Sequence, residues 1–358
     1  MSNNEILKQC VEPLLAFYDR GRRILPWREE PTPYHVWVSE IMLQQTRVEA
    51  VKPYYDRFMK ALPDIRSLSE AEEEKLLKLW EGLGYYNRVR NMKKAAEMIV
   101  SQYGGEMPAD YEQILSLPGI GSYTAGAISS IAFGIRRPAV DGNVLRVLSR
   151  LRSDSRNIMQ QSVRNEIEQE LLTVMPTGRP GDFNQALMEL GAMVCTPNGA
   201  PKCEECPWKE LCMAHREGCE TSFPCKPPKK PRTIEDKTVL IIKDERKAAL
   251  TKRPEKGLLA GMYEFPSLTG HLSKDEVLLF LKEKGLSVLR ITPLTDSKHI
   301  FSHKEWHMIG YAVKVDELAE MTDQQDESLI FVDSREIREQ YPIPTAYQAY
   351  RKAFLEEM

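Results

Sequence analysis

Two carboxylates and four cysteines are the residues of this 358-residue chain whose types and spacing can do chemistry. Glu40 stands in HVWVSEIMLQQT, and on a helix its i−4, i−3 and i+3 neighbours are Val36, Trp37 and Leu43. Such neighbours exclude water, which raises a carboxyl pKa and keeps a proton available near neutral pH. On an ordinary helix surface the same glutamate would merely be solvated. Asp141 follows the apolar PAV and precedes the helical NVLRVLSRL, a position suited to capping that helix. Capping and chemistry are compatible. Two carboxyl groups in different environments can divide acid work from charge stabilisation, as they do in glycoside hydrolysis.

Cys195, Cys203, Cys206 and Cys212 fall in CTPNGAPKCEECPWKELC, spaced C-x7-C-x2-C-x5-C. The first residues, MSNNEILKQC, show no basic head followed by an apolar core, so no export is expected and a disulfide framework is disfavoured. Metal is the favoured use. A structural zinc site commonly pairs two CxxC knuckles, and one is present here. Four thiolates within one short loop better suit an iron–sulfur cluster; zinc and unligated thiols stay as alternatives. Cys10, Cys219 and Cys225 read as bystanders.

A third stretch, LPGIGSYTAGAI (Leu117–Ile128), has a proline–glycine turn, a second glycine and then small residues that open a helix. It can be a plain joint between packed helices. It can equally be an anion-binding turn, in which Gly119 and Gly121 let backbone N–H groups approach a phosphate. A nucleotide P-loop is disfavoured, because the closing lysine and Ser/Thr are missing.

The elements that must hold these residues are helical from about Glu5 to Met193, with proline and glycine as punctuation. This reads as an all-α domain. CKPPKKPR (Cys225–Arg232) reads as an extended linker. Beyond it, β-like runs such as KTVLIIK and WHMIGYAVKV alternate with helical stretches around SKDEVLLFLKEKG, the texture of a separate α+β domain. Residues 1–232 carry 31 Lys+Arg and 30 Asp+Glu, leaving 18 and 22 for the rest, within a net charge of −3. Any nucleic-acid partner must therefore be met by a local surface and not by a general basic field. No apolar run approaches the roughly 20 residues that cross a bilayer, and a cytoplasmic protein, nucleoid-associated if bacterial, is expected.

LPGIGSYTA, then VDGNVLRVLSRL, then the four-cysteine loop together resemble the helix-hairpin-helix DNA glycosylases of the endonuclease III superfamily. VWVSEIMLQQTRV and WEGLGYYNRVRN narrow the resemblance to the adenine DNA glycosylases, the MutY type. The likeness covers nearly the whole chain; the first cysteine gap is seven residues where the family usually has six.

The resemblance implies a multidomain protein: an all-α helix-hairpin-helix glycosylase domain over 1–225, with its hairpin at about 115–127 and a [4Fe-4S] loop at 195–212. A linker over 226–232 and a Nudix-like recognition domain over 233–358 follow. It implies a monofunctional glycosylase that removes adenine paired with 8-oxoguanine or guanine in double-stranded DNA. Glu40 would protonate adenine N7 and later act as base toward water; Asp141, oriented by Asn143, would stabilise the sugar cation or form a transient adduct with it. Where bifunctional relatives carry a nucleophilic lysine this chain has Tyr123, which has no amine to form an imine. Gln45 and Tyr85 would wedge around the opposite base, while Arg28 and Trp27 would help form the adenine pocket.

KRPEKGLLAGMYEFPS resembles the start of a Nudix fold, but the glutamate-rich metal helix of Nudix hydrolases does not follow. The resemblance makes this a recognition domain, with Phe301, Ser302 and His303 of HIFSHKEW reading 8-oxoguanine. His299, His303 and His307 are not expected to gather a metal, because they lie between β-like runs. A monomer is expected, with no membrane partner. Three other functions stay in view: an endonuclease III-like lyase, a non-catalytic iron–sulfur DNA-binding protein, and a Nudix hydrolase with an added helical domain.

Overall fold

A computed structural model describes residues 3–228, 231–316, 318 and 329–356. Two compact units result: the first takes the residues up to Glu70 together with Asn91–Pro228, the second Ala71–Arg90 together with the residues after the linker. Of the linker, residues 229 and 230 lie outside the described residues.

The first unit is helical throughout. Thr32 caps the Pro33–Leu43 helix by accepting from the His35 amide at 3.2 Å, with Pro33 in the first turn where its missing N–H costs nothing. Tyr34 through Met42, His35 excepted, are buried, so Glu40 sits on a helix covered on nearly all sides. The Ser122–Phe133 helix packs against it. Small residues allow a close approach elsewhere on that helix: a Cβ on Gly126 would lie 2.3 Å from the Pro138 carbonyl oxygen.

Asp141 begins the Gly142–Arg152 helix. The segment before it is pinned by Asn184, fully buried, which accepts from the Ala139 amide at 3.0 Å and donates to the Arg137 carbonyl at 2.8 Å. Arg146 and Arg150, four residues apart and so on one helix face, both reach the cysteine loop. Arg146 Nε donates to the Cys195 carbonyl at 2.9 Å, and Arg150 Nη1 to the Thr196 carbonyl at 2.8 Å. The helix that presents Asp141 thereby satisfies backbone groups that an irregular loop would otherwise leave unpaired.

Among its described residues the second unit contains a seven-stranded mixed sheet: β1 Thr233–Lys243, β2 Lys247–Lys252, β3 Tyr263–Glu264, β4 Ser267–Thr269, β5 Val288–Ile300, β6 Lys304–Val315 and β7 Leu329–Asp333. The main order is β3-β2-β1-β6-β5, with β4 beside β1 and β7 beside β2; β1 and β6 are parallel. Val239–Ile242 are buried on alternating faces, hence the continuous VLII run. One face packs Tyr347, Tyr350 and Phe354 of the C-terminal residues; the other packs Val277 and Leu281 of the Lys274–Glu283 helix. In that helix Glu276 is spent on a capping box with Ser273. No described helix is long and apolar enough to cross a membrane.

Candidate active site

Within the first unit a cavity of about 460 Å³ is lined by Trp27, Arg28, Glu40, Tyr123, Asp141 and Asn143, among others. That volume lies in the range of small-ligand sites and admits one nucleobase. Six residues singled out in the sequence thus meet at one place.

Glu40 is 6% exposed. Burial pushes its carboxyl up to about 7, and the nearby Asp141 charge adds to the rise; a hydrogen bond from Tyr123 and the Arg28 charge work against it. The Tyr123 hydroxyl donates to Glu40 Oε2 at 2.5 Å, so the tyrosine is itself held far from ionisation by burial and the two carboxylates. A carboxylic acid poised near neutrality is what proton donation requires.

Asp141 is tied down differently. Its Oδ1 accepts from the amides of Asn143 at 2.9 Å and Val144 at 2.8 Å, and its Oδ2 from the Asn143 side chain at 2.7 Å. Burial raises its pKa, while these three donors and the Arg146 charge hold it down. Asp141 is thus the cap of its helix, and it also lines the cavity. Asn143 is fixed in turn by Arg146, whose Nη2 donates to Asn143 Oδ1 at 3.0 Å and to the Gly191 carbonyl at 2.8 Å.

Among the lining residues that sequence reasoning did not single out are Glu189 and Arg23. Glu189, 1% exposed, accepts from Arg23 Nη2 at 2.7 Å and from Arg28 Nη2 at 2.9 Å. It lies at the end of the Pro180–Glu189 helix, just before a wider, π-type turn over Leu190–Val194 that leads to Cys195. Such widened turns are frequent at functional sites. A buried acid in QALMEL, 161 residues from its Arg28 partner, has no local signature.

Elsewhere in this unit, Tyr111–Leu115 and Ser122–Phe133 flank the predicted hairpin turn. Gly119 has φ +77, and a Cβ there would meet Asn91 Cβ at 2.6 Å. Gly121 precedes the second helix and faces open space. Gln45 is exposed at φ +60. In the second unit Tyr85 is exposed at φ +50. The left-handed region is uncommon for residues with a side chain; among the described residues Gln45 and Tyr85 share it with Ser153 and Leu259.

The HIFSHKEW stretch forms the β5–β6 turn. Phe301 packs edge-on against Trp306, with ring centroids 4.8 Å apart, and joins the core beneath; Ser302 and His303 are exposed. His299, His303 and His307 form no common ligand set among the described residues.

Cys195, Cys203, Cys206 and Cys212 line one small pocket with Arg150, His215 and Glu220. Burial first, with Glu220 beside Cys203 and the neighbouring cysteines adding to it, pushes the Cys203 and Cys206 thiols up to about 12, so thiolates here would need a bound cation. Zinc thiolates at about 2.3 Å in a tetrahedron would sit under 4 Å from one another. Among the described residues, no three of the four sulfurs come within 4.8 Å of one another; the one set that compact is Cys203, His215 and Glu220. Four thiols that line one pocket are a donor set suited to a metal cluster.

Fold and site together define a class, the helix-hairpin-helix base-excision DNA glycosylases. Residues 38–172 match the model of the HhH-GPD superfamily base excision DNA repair proteins, and residues 238–353 that of the NUDIX domain. A thermostable thymine-DNA glycosylase of known structure is 31% identical, covering 61% of this chain and all of its own, with a TM-score of 0.55. A non-covalent endonuclease III–DNA complex, 24% identical with a TM-score of 0.52 over 61% of this chain and 99% of that one, shares the fold. The adenine DNA glycosylase of Buchnera aphidicola from Acyrthosiphon pisum is 35% identical over 85% of this chain and 86% of its own length. That of Mus musculus is 36% identical over 85% and 70%. The chain belongs to the adenine DNA glycosylase family.

Proposed function

We propose that this enzyme excises adenine opposite 8-oxoguanine or guanine in double-stranded DNA and leaves the strand intact. The observation that carries the reading is the shared cavity, in which a protonatable Glu40 and a hydrogen-bonded Asp141 face one base-sized space. A base inside a duplex is out of reach, so the target nucleotide is first extruded. Arg28 and Glu189 supply donor and acceptor groups for its edge, and Trp27 an apolar wall. Glu40 gives its proton to N7, which makes adenine a better leaving group. As the N-glycosyl bond breaks, positive charge grows on the sugar, and Asp141 stabilises it, held in place by Asn143. Glu40, now a carboxylate, takes a proton from the attacking water. Tyr123 orients Glu40 through its hydrogen bond and offers no amine for strand cleavage.

Backbone amides around Gly119 and Gly121 would hold phosphate, and Gln45 and Tyr85 would occupy space left by the extruded base. In the second unit, Ser302 and His303 are exposed for contact with the opposite base, with Phe301 bracing the turn from below. Cys195, Cys203, Cys206 and Cys212 would hold a [4Fe-4S] cluster, which supplies a rigid cross-link for the loop that Arg146 and Arg150 grip. The enzyme works as a monomer wherever the chromosome lies, in the cytoplasm at the nucleoid if bacterial. Incubation with an A:8-oxoG duplex tests this: strand breakage only after alkali is expected, whereas breakage without alkali would show a lyase and an intact duplex no glycosylase of this specificity.

A further inference from the structure

The exposed Tyr85 stands on a turn that is braced from within and tied at its base to the C-terminal helix, all inside the second compact unit. The Trp80 indole donates to the Gly84 carbonyl at 3.1 Å. Arg88 Nη2 donates to the carbonyls of Leu83 at 3.1 Å and Gly84 at 2.9 Å. The same guanidinium lies 5.6 Å from the Tyr85 ring centroid and 5.4 Å from that of Trp80. The tyrosine ring thus rests on an arginine already fixed to the turn's own carbonyls.

Lys78 and Glu81, just before the turn, make the outward connection. Lys78 Nζ donates to the carbonyls of Ile337 at 2.9 Å and Tyr341 at 3.1 Å, and pairs with Glu81 at 2.7 Å. Glu81 also accepts from Arg351 Nη1, on the Gln348–Glu356 helix. The Glu81 side chain is 11% exposed and that of Arg351 25%. Removing one member of so shielded a set leaves the others short of partners, so the arrangement fixes geometry more firmly than an exposed ion pair does. A parallel tether joins Tyr263 to Glu74 at 2.7 Å.

We propose that Arg351 is a positioning residue for the wedge: through Glu81 it sets the Gly82–Tyr85 turn, so the last helix of the recognition domain governs how Tyr85 enters the duplex. The proposal rests on the reading of Tyr85 as a wedge given above. Filling the space of an extruded base offsets the unstacking cost only if the side chain is presented already ordered. A loosened turn therefore extrudes the base more slowly without touching the chemistry of Glu40.

The test uses the full-length protein with its cluster and an A:8-oxoG duplex carrying 2-aminopurine beside the target adenine, whose fluorescence reports extrusion. Arg351→Glu, Glu81→Arg, the Glu81→Arg/Arg351→Glu swap and Arg351→Lys are each compared with and without Tyr85→Ala. If Tyr85→Ala alone extrudes as fast as the unaltered enzyme, the wedge reading itself fails, whatever Arg351 does. If Tyr85→Ala is slow, Arg351→Glu should slow extrusion about tenfold, with Tyr85→Ala adding nothing further. The charge swap should then recover most of the rate, and Arg351→Lys should keep it. Extrusion by Arg351→Glu at the unaltered rate, or losses that multiply with Tyr85→Ala, would overturn the proposal. Should Arg351→Glu not fold, Arg351→Gln and the swap carry the same comparison.

Discussion

Replacing Glu40 by glutamine should give an enzyme that is inactive and more stable, with both effects set by one proton. Burial moves the Glu40 carboxyl from its ordinary 4.5 to about 7. A carboxyl raised on folding lowers stability as pH climbs: the contribution is fully favourable below 4.5, is lost between 4.5 and 7, and is flat above. With 1.36 kcal/mol per pKa unit, the raised Glu40 pKa takes about 3 kcal/mol from folding stability at pH 8 and about 1 kcal/mol at pH 5. Glutamine is neutral at both. The Glu40→Gln advantage in unfolding free energy should therefore grow between pH 5 and pH 8, read from denaturant midpoints of the intact protein. Single-turnover excision is the paired assay. In the unaltered enzyme the rate should fall about tenfold from pH 6 to pH 8, as the protonated fraction drops from roughly 0.91 to roughly 0.09. Glu40→Gln should lose at least about a hundredfold, the usual worth of a general acid. Retained excision, or a stability gain that ignores pH, would refute the reasoning.

Tyr123→Phe removes a hydrogen bond that lowers the Glu40 pKa, so the alkaline limb of the pH–rate profile should move to higher pH; a limb that stays put would contradict the pairing. Asp141→Ala should lose excision and also about 1–2 kcal/mol of stability, because two backbone amides lose their cap; Asp141→Asn should lose excision with a smaller stability change. Gly119→Ala forces a side chain into a left-handed conformation and against Asn91, and should weaken duplex binding irrespective of the opposite base, measured by fluorescence anisotropy across salt concentrations. The purified protein should absorb visible light and contain four irons and four sulfides per chain, and Cys206→Ala should lose both.

The residues that cap, turn and bury were legible because local physics decides them. Glu40 stood among apolar residues at helical spacing, Asp141 at the head of an apolar-striped helix, and Gly119 in a turn that only glycine adopts without strain. The pairing of Glu189 with Arg23 and Arg28 was not legible, since a buried acid and its cations far apart in sequence leave no shared local pattern. Membership of Ala71–Arg90 in the second unit was equally hidden. EEEKLLKLW reads as an amphipathic helix wherever it packs, and the Ile337 and Tyr341 carbonyls that its Lys78 meets come some 260 residues later. The left-handed backbone at Gln45 and Tyr85 also had no signal, because both side chains usually disfavour it.

The central claim is that Glu40 and Asp141 flank the bond that breaks. A crystal structure of Glu40→Gln bound to an uncleaved A:8-oxoG duplex tests it most directly. Adenine should lie extruded in the cavity, with N7 within hydrogen-bonding distance of residue 40 and the Asp141 carboxylate beside the sugar carbon that holds the base. Adenine bound with Asp141 remote from that sugar carbon, or an extruded nucleotide lodged elsewhere on the protein, would contradict it.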